Sequence, residues 1–129
     1  MTVEKKEKEK IEEIENYLKG YAFGAKLLRL EKYEKNYFGR RGTQEEESFG
    51  EAPLARARMF EIRHFIMDMK SSDEKLLLYF HYIKCEPVEK CAELLGISRS
   101  SAFRMKRRAL ALAADMAIKK GVALKGSDT

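Results

Sequence analysis

The side chains with the clearest chemical potential are hydroxyl and cationic groups crowded between residues 98 and 108: Ser98, Arg99, Ser100, Ser101, Arg104, Lys106, Arg107 and Arg108. From Ser98 to Lys125 the chain has eight cationic residues and one acidic residue, a net charge of +7, whereas the whole 129-residue chain carries +5. The rest of the chain therefore sums to about −2. This concentration of positive charge favours a polyanion, with double-stranded DNA the first candidate.

The segment before this cluster has the pattern of a short helix and a tight turn. Pro87 suits a first helical turn, and apolar residues follow at helical spacing: Val88, Cys91, Ala92, Leu94 and Leu95. Gly96 allows the left-handed conformation that ends a helix, and Ile97 supplies an apolar side chain to bury in the turn. Ser98 is a good N-cap, so a second helix should begin at Arg99. The spacing predicts a helix-turn-helix whose second helix packs one face and leaves the cationic face outward.

Two stretches in the first half of the chain have the heptad-like spacing of paired helices. The first predicts a helix of about 25 residues, and its apolar positions are Ile11, Ile14, Leu18, Tyr21, Ala25 and Leu28. The second follows Pro53, which restarts a helix, and its apolar positions are Ala55, Met59, Ile62, Ile66 and Met69. Gly20 and Gly24 indicate either a close helix approach or a bend in the first helix.

These two helices have two possible roles. They form either an antiparallel hairpin that braces the helix-turn-helix or the interface of a homodimer through residues 11–69. We favour the dimer, because one small module has limited contact area with DNA.

The pattern divides the chain into three parts and predicts an all-α fold, since no strand pattern competes. Residues 1–70 form the helical hairpin or dimerisation region with an exposed loop at 39–52, residues 71–121 the helix-turn-helix domain, and residues 122–129 a flexible tail. Ser71 and Glu74 have capping-box spacing before a strongly apolar helix that runs through Ile83. The last helix should end near Lys120, with Gly121 as its stop.

The sequence gives little support for a zinc site or a catalytic site. His81, Cys85 and Cys91 lack a fourth zinc ligand and lie in apolar surroundings, so we expect core packing and reduced thiols. Glu45–Glu47 lie in a glycine-flanked segment without a nucleophile or base nearby, and we predict no catalytic site, metal or cofactor. The charged N-terminus is unlike a secretory signal, and no apolar run is long enough to span a membrane. We expect a cytoplasmic protein.

The stretch from Leu76 to Leu112, LLLYFHYIKCEPVEKCAELLGISRSSAFRMKRRALAL, resembles region 4 of bacterial sigma factors. In that module a helix leads into a helix-turn-helix that reads the −35 promoter element. A short helical N-terminal part joined to such a module looks more loosely like the ArpU and RinA type of regulators of phages and integrated elements. Those regulators activate late or packaging genes. The resemblance implies RNA polymerase as a second partner.

Aligning LGIS with the sigma module places four residues at base edges in the major groove: Arg99, Ser100, Phe103 and Arg104. Ser100 and Phe103 depart from the long charged or amide side chains that are usual there. An arginine can donate two hydrogen bonds to guanine, and Phe103 can contact a thymine methyl. Alternatively, Phe103 closes the core against Tyr79 or Leu95. The residues expected at phosphates are Ser98, Ser101, Lys106, Arg107 and Arg108.

The sequence therefore predicts a sequence-specific transcription regulator of phage or mobile-element genes, an activator rather than an enzyme. Two alternatives stay open. A small terminase subunit would combine a similar DNA-binding module with ring assembly, and a sigma mimic would occupy RNA polymerase without contacting DNA. The number of subunits distinguishes a terminase subunit from the predicted regulator, and the salt dependence of DNA binding distinguishes a sigma mimic from it.

Overall fold

The computed structural model describes residues 3–38 and 51–122, and the elements in these ranges are all helical. They are α1 (Val3–Phe38), α2 (Glu51–Met67), α3 (Ser72–Leu78), a π-helical turn (Tyr79–Ile83), α4 (Val88–Leu95) and α5 (Arg99–Lys120). The predicted all-α class is confirmed, since no strand occurs in the part of the chain that the structure describes.

Helices α1 and α2 pack against each other as an antiparallel pair within one chain. Tyr17 meets Phe65 edge to face, with ring centroids 5.6 Å apart, and a Cβ added at Gly24 would lie 2.8 Å from Met59 Cγ. Positions later in α1 therefore face positions earlier in α2. The two predicted seams bury Ile14, Leu18, Ile62 and Ile66 completely. They form a hairpin, and the glycine at 24 permits a close approach of the two helices.

The second half of α5 completes the same hydrophobic core. Four alanines on one face of α5 are fully buried, and they lie in one cluster with Ile14 and Leu18 of α1: Ala109, Ala113, Ala114 and Ala117. Alanine side chains allow α1 to lie close to α5. Lys120 forms an ion pair with Asp68 (2.8 Å) and Lys10 one with Asp115 (3.2 Å). Ranges 1–70 and 71–121 thus contribute to one core, which fixes α5 relative to the hairpin.

Helix α1 begins at Val3 and has 36 residues, because the charged residues 3–10, for which the sequence also predicts a helical start, continue into the helix that carries the apolar seam. The start of α2 differs from the prediction. Helix α2 begins at Glu51, so Pro53 lies inside its first turn, where a missing amide proton is tolerated, and the predicted loop 39–52 ends earlier. Residues 39–50 lie outside the described ranges.

The C-terminal end of α5 lies where it was predicted. Gly121 ends the helix in the left-handed conformation (φ 74°), and Val122 donates to the Ala117 carbonyl and packs on the core. Val122, predicted as the first tail residue, belongs to this helix end. Residues 123–129 lie outside the described part.

The apolar helix after Ser71 is not α-helical throughout. A π-helical turn begins at Tyr79, with the Lys84 amide donating to the Tyr79 carbonyl. In an α-helix residues five apart lie on different faces, whereas the wider turn brings Tyr82 and Ile83 onto the buried face of Leu77 and Leu78. Leu76 is 41% exposed, whereas these four residues are buried, so this helix is largely buried beyond its first apolar residue.

Candidate nucleic-acid interface

Helices α4 and α5 are joined by a turn whose local geometry matches the sequence prediction. Gly96 is left-handed (φ 71°), and the Ile97 amide donates to the Ala92 carbonyl (3.0 Å). Ile97 packs on a small cluster formed by Val88, Ala92 and Ala102. Ser98 Oγ accepts from the Ser101 amide (3.1 Å), so Ser98 caps α5 as predicted and α5 begins at Arg99. This second small cluster fixes the first turn of α5 against α4.

The four residues predicted to contact bases are exposed at the start of α5: Arg99, Ser100, Phe103 and Arg104. Ser100, Phe103 and Arg104 follow Arg99 by one, four and five residues, which places all four on one side of an α-helix. Arg107 lies on the same side. Ala102 and Ala109 face the protein and are fully buried. We call the set Arg99, Ser100, Phe103, Arg104 and Arg107 the outer face of α5.

Phe103 lies on this outer face and not in the core. Its side chain is 45% exposed, and the Arg99 guanidinium lies over its ring, 5.7 Å from the centroid. The alternative that Phe103 closes the core against Tyr79 or Leu95 is therefore wrong. Ala102, the preceding residue, occupies the inward position. An exposed aromatic ring among cations offers an apolar surface for a base or a methyl group.

Besides Lys120, three cations of α5 are paired with carboxylates, each from a different helix. Arg99 lies 3.1 Å from Glu89 of α4, and Lys106 lies 3.3 Å from Glu15 of α1. Arg108 Nε donates to Glu74 of α3 at 2.8 Å. The positive charge inferred from the sequence is thus partly neutralised in the folded chain, and a phosphate at these positions has to compete with a carboxylate.

Lys106 differs from the other predicted phosphate contacts because it points toward α1. Its side chain is 23% exposed, and its partner Glu15 also accepts a hydrogen bond from Tyr82 (2.6 Å). Burial alone would raise the pKa of Glu15, but the bond from Tyr82 and the charge of Lys106 outweigh it and lower the pKa. Burial and the nearby carboxylate raise the pKa of Tyr82. Lys106 thus joins α5 to α1.

Glu74 is a buried acidic residue that anchors α3 to α5. It is 7% exposed and accepts hydrogen bonds from Ser71 and Arg108, which lower its pKa. Ser71 occupies the N-cap position of α3, but its hydroxyl donates to this carboxylate and accepts from no backbone amide. The predicted capping box is therefore wrong in detail, because the Ser71 hydroxyl bonds the Glu74 carboxylate and caps no backbone amide.

The remaining predicted contacts are held less firmly. Arg104 donates to the Ser101 hydroxyl (3.3 Å), and among the described residues no carboxylate lies within 4.0 Å of it. Ser98 Oγ donates to Ser101 Oγ (2.9 Å), so both predicted serine contacts belong to the cap. Arg107 is exposed at the rim of a groove beside Glu12 and Glu15 of α1. Arg104 and Arg107 are therefore the cations best placed for an incoming anion.

The histidine and cysteines considered for zinc differ in burial, and two of them, His81 and Cys91, lie against the Glu86 carbonyl. His81 Nδ1 lies 2.7 Å from the Glu86 carbonyl, and burial lowers the pKa of His81. Cys91 is fully buried and burial raises its pKa, whereas Cys85 is exposed in a left-handed conformation (φ 60°), contrary to the core position predicted. Within residues 3–38 and 51–122 no three potential metal ligands cluster. Glu45–Glu47 lie outside the described ranges.

The sequence did not predict the pairing of α5 cations with three carboxylates, Glu15, Glu74 and Glu89. Glu89 lies in the first turn of α4, and the spacing of Glu74 from Ser71 predicts a capping box. Neither local pattern indicates an ion pair with α5. Glu15 lies 91 positions before Lys106, and its pairing depends on how α1 crosses α5. A local pattern contains no information on such a contact.

Comparison of the chain with family models, with curated proteins and with solved structures finds no match. None of the helices in the described part has the length and apolar character needed to cross a lipid bilayer.

Proposed function

We propose that the chain binds double-stranded DNA in the major groove through the N-terminal half of α5 and regulates transcription. The observation that carries the proposal is the outer face of α5, exposed directly after a capped turn and backed by a fixed core. An α-helix fits the major groove, and recognition helices use their N-terminal residues at base edges.

Each residue of the outer face has a distinct proposed role. Arg99 and Arg104 donate paired hydrogen bonds to guanine, Ser100 bonds a base or phosphate, and Phe103 contacts a thymine methyl. Arg107 and Arg108 bind phosphates and fix the register of the helix on the duplex. Lys106 reaches a phosphate only by leaving Glu15, so its part in DNA binding is smaller than the sequence predicted.

The regulatory part of the proposal comes from the likeness to sigma region 4. On that basis the chain acts in the cytoplasm on promoters of phage or mobile-element genes, as an activator that also contacts RNA polymerase. A homodimer would present two α5 helices to a repeated site and would increase both affinity and specificity.

The test is binding of the purified protein to duplexes from around its own gene cluster, measured by fluorescence anisotropy. Arg104→Ala removes a cation that has no carboxylate partner among the described residues, and it should weaken binding to the preferred duplex about 5- to 150-fold. Lys119→Ala is the matched control, because Lys119 is exposed on the same helix fifteen residues further on. It should leave affinity nearly unchanged.

Salt dependence separates DNA binding from the alternatives. The two phosphate-binding cations, Arg107 and Arg108, predict a slope of about −1.8 for the logarithm of affinity against the logarithm of salt concentration for one chain, and about −3.6 for a dimer. Equal affinities of the two alanine variants would overturn the assignment of α5. Binding to RNA polymerase with no steep salt effect on DNA would favour the sigma mimic, and a ring of many subunits would favour a packaging role.

A further inference from the structure

Phe103 is the apolar side chain of the outer face of α5. It lies four residues after Arg99 and four before Arg107, so a cation stands one helical turn away on either side. Successive residues of an α-helix are rotated by about 100°, which places Phe103 about 40° around the helix from each of these arginines. The ring therefore lies within the face and not at its margin, where it meets base edges of a bound duplex instead of phosphates.

A phenyl ring in this position can read only the apolar part of a base. It has no hydrogen-bonding group, so it does not distinguish O4 of thymine from N4 of cytosine. The apolar group in the major groove is the methyl at C5 of thymine, and 5-methylcytosine carries the same methyl at the same position. Ser100, three residues before Phe103, has a hydroxyl that can donate or accept, so it tolerates either base. This part of the face therefore responds to a C5 methyl group and not to the identity of the pyrimidine.

The position of Arg99 relates this methyl group to a guanine. The Arg99 guanidinium lies 5.7 Å from the centroid of the Phe103 ring. Guanidinium groups stack on aromatic faces while their N–H groups remain free to donate, so Arg99 can bind guanine beside the ring. Base pairs two steps apart are separated by at least about 6.8 Å, and thymine does not pair with guanine. The methyl group and the guanine therefore belong to neighbouring base pairs.

We propose that α5 recognises a C5-methylated pyrimidine in the base pair next to the guanine bound by Arg99, and that 5-methylcytosine serves there as well as thymine. Binding is then sensitive to cytosine methylation, since a site in which cytosine replaces this thymine is bound weakly until it is methylated. This specificity rests on the proposed binding of α5 in the major groove, and it adds the chemical group that Phe103 reads.

Duplexes that differ by one methyl group test the recognition. The purified wild-type chain first selects its preferred duplex from a pool of random sequences. Each thymine next to a guanine is then replaced in turn by uracil, cytosine or 5-methylcytosine, and affinity is measured by fluorescence anisotropy. At one such position thymine should give about fourfold tighter binding than uracil, and 5-methylcytosine about fourfold tighter binding than cytosine, because burial of one methyl group contributes about that factor.

Two alanine variants test whether Phe103 makes this contact. Phe103→Ala should reduce both methyl ratios to about one, because the ring that covers the methyl group is gone. Leu112→Ala is the matched control, since Leu112 is 42% exposed on the same helix and lies about 180° around it from Phe103. It should retain both ratios. Circular dichroism checks that each variant remains helical.

Replacement of guanine by 7-deazaguanine tests the link to Arg99. This base lacks N7, one of the two guanine acceptors that an arginine binds. Next to the methyl-sensitive thymine, the replacement should weaken binding of the wild-type chain at least about fivefold. In Arg99→Ala the same replacement should cause no further loss, whereas Arg104→Ala should remain sensitive to it.

The outcomes separate this specificity from the proposed function. A wild-type chain that selects no duplex would overturn both. Selective binding that is weakened by Arg104→Ala but unaffected by every methyl replacement would overturn the methyl recognition alone, as would selected duplexes with no thymine beside a guanine. A methyl effect that persists in Phe103→Ala would also overturn it, because another residue would then read the methyl group. Sensitivity to 7-deazaguanine that persists in Arg99→Ala would overturn the link to Arg99.

Discussion

Replacing Glu89 by glutamine should tighten DNA binding, because it releases Arg99 from an ion pair that the duplex must otherwise displace. In the free protein the two side chains lie 3.1 Å apart and both are more than half exposed. Two charges at that distance in bulk water attract by about 1.3 kcal/mol. Measured exposed pairs contribute about 0.2 to 1 kcal/mol, so affinity should rise about 1.4- to 5-fold.

Glu93→Gln is the matched control for this experiment. Glu93 lies one turn later on α4 and pairs with Lys90 at 3.7 Å instead of with α5. Both substitutions raise the net charge by one, so a general increase in attraction to DNA affects them alike. Fluorescence anisotropy with one duplex at one salt concentration should show tighter binding for Glu89→Gln than for Glu93→Gln.

The gain should also depend on Arg99 itself. In an Arg99→Ala background, Glu89→Gln should change affinity no more than the control does, because the pair no longer exists. Equal affinities of the two glutamine variants would refute the argument that the ion pair competes with DNA. A gain that persists without Arg99 would refute it as well.

Three further predictions concern stability. Ile62→Ala should lower the free energy of unfolding by about 2 to 5 kcal/mol in chemical denaturation, because Ile62 is fully buried between α1 and α2; a loss below about 1 kcal/mol would contradict the packed hairpin. Ser98→Ala should lower it by about 0.5 to 2 kcal/mol through loss of the α5 cap, with Ser100→Ala as the nearly neutral control. Glu74 has a pKa lowered by Ser71 and Arg108, so its stabilising contribution is present above its ordinary pKa of 4.5 and is lost as pH falls through the lowered value. Glu74→Gln should therefore make thermal unfolding less sensitive to pH below about 4.5, and an unchanged pH dependence would contradict this assignment.

The turn between α4 and α5 was predictable from sequence because its determinants are local. Gly96 provides the left-handed residue, Ser98 provides the cap, and both act within one helical turn of their position. Gly121 ends α5 for the same reason. The exposed face that follows could be predicted because helical spacing alone determines which residues share a side.

Contacts between distant segments were not predictable in the same way. The apolar seam of α1 is compatible with a hairpin or a dimer, and only the packing of Ile14 and Leu18 on α2 and α5 decides between them. The π-helical turn arises because Tyr82 and Ile83 reach the core five residues after the previous buried pair. The partners of the α5 cations likewise depend on the tertiary fold.

The proposed function depends most on direct contact between the outer face of α5 and a duplex. The most direct measurement is an NMR titration of the ¹⁵N-labelled protein with the duplex that binds best, following backbone amides along the chain. The largest shifts should fall on residues 99–104, with smaller changes near Arg107 and little change on α2. Unperturbed amides at 99–104, with the shifts concentrated on another helix, would contradict the account.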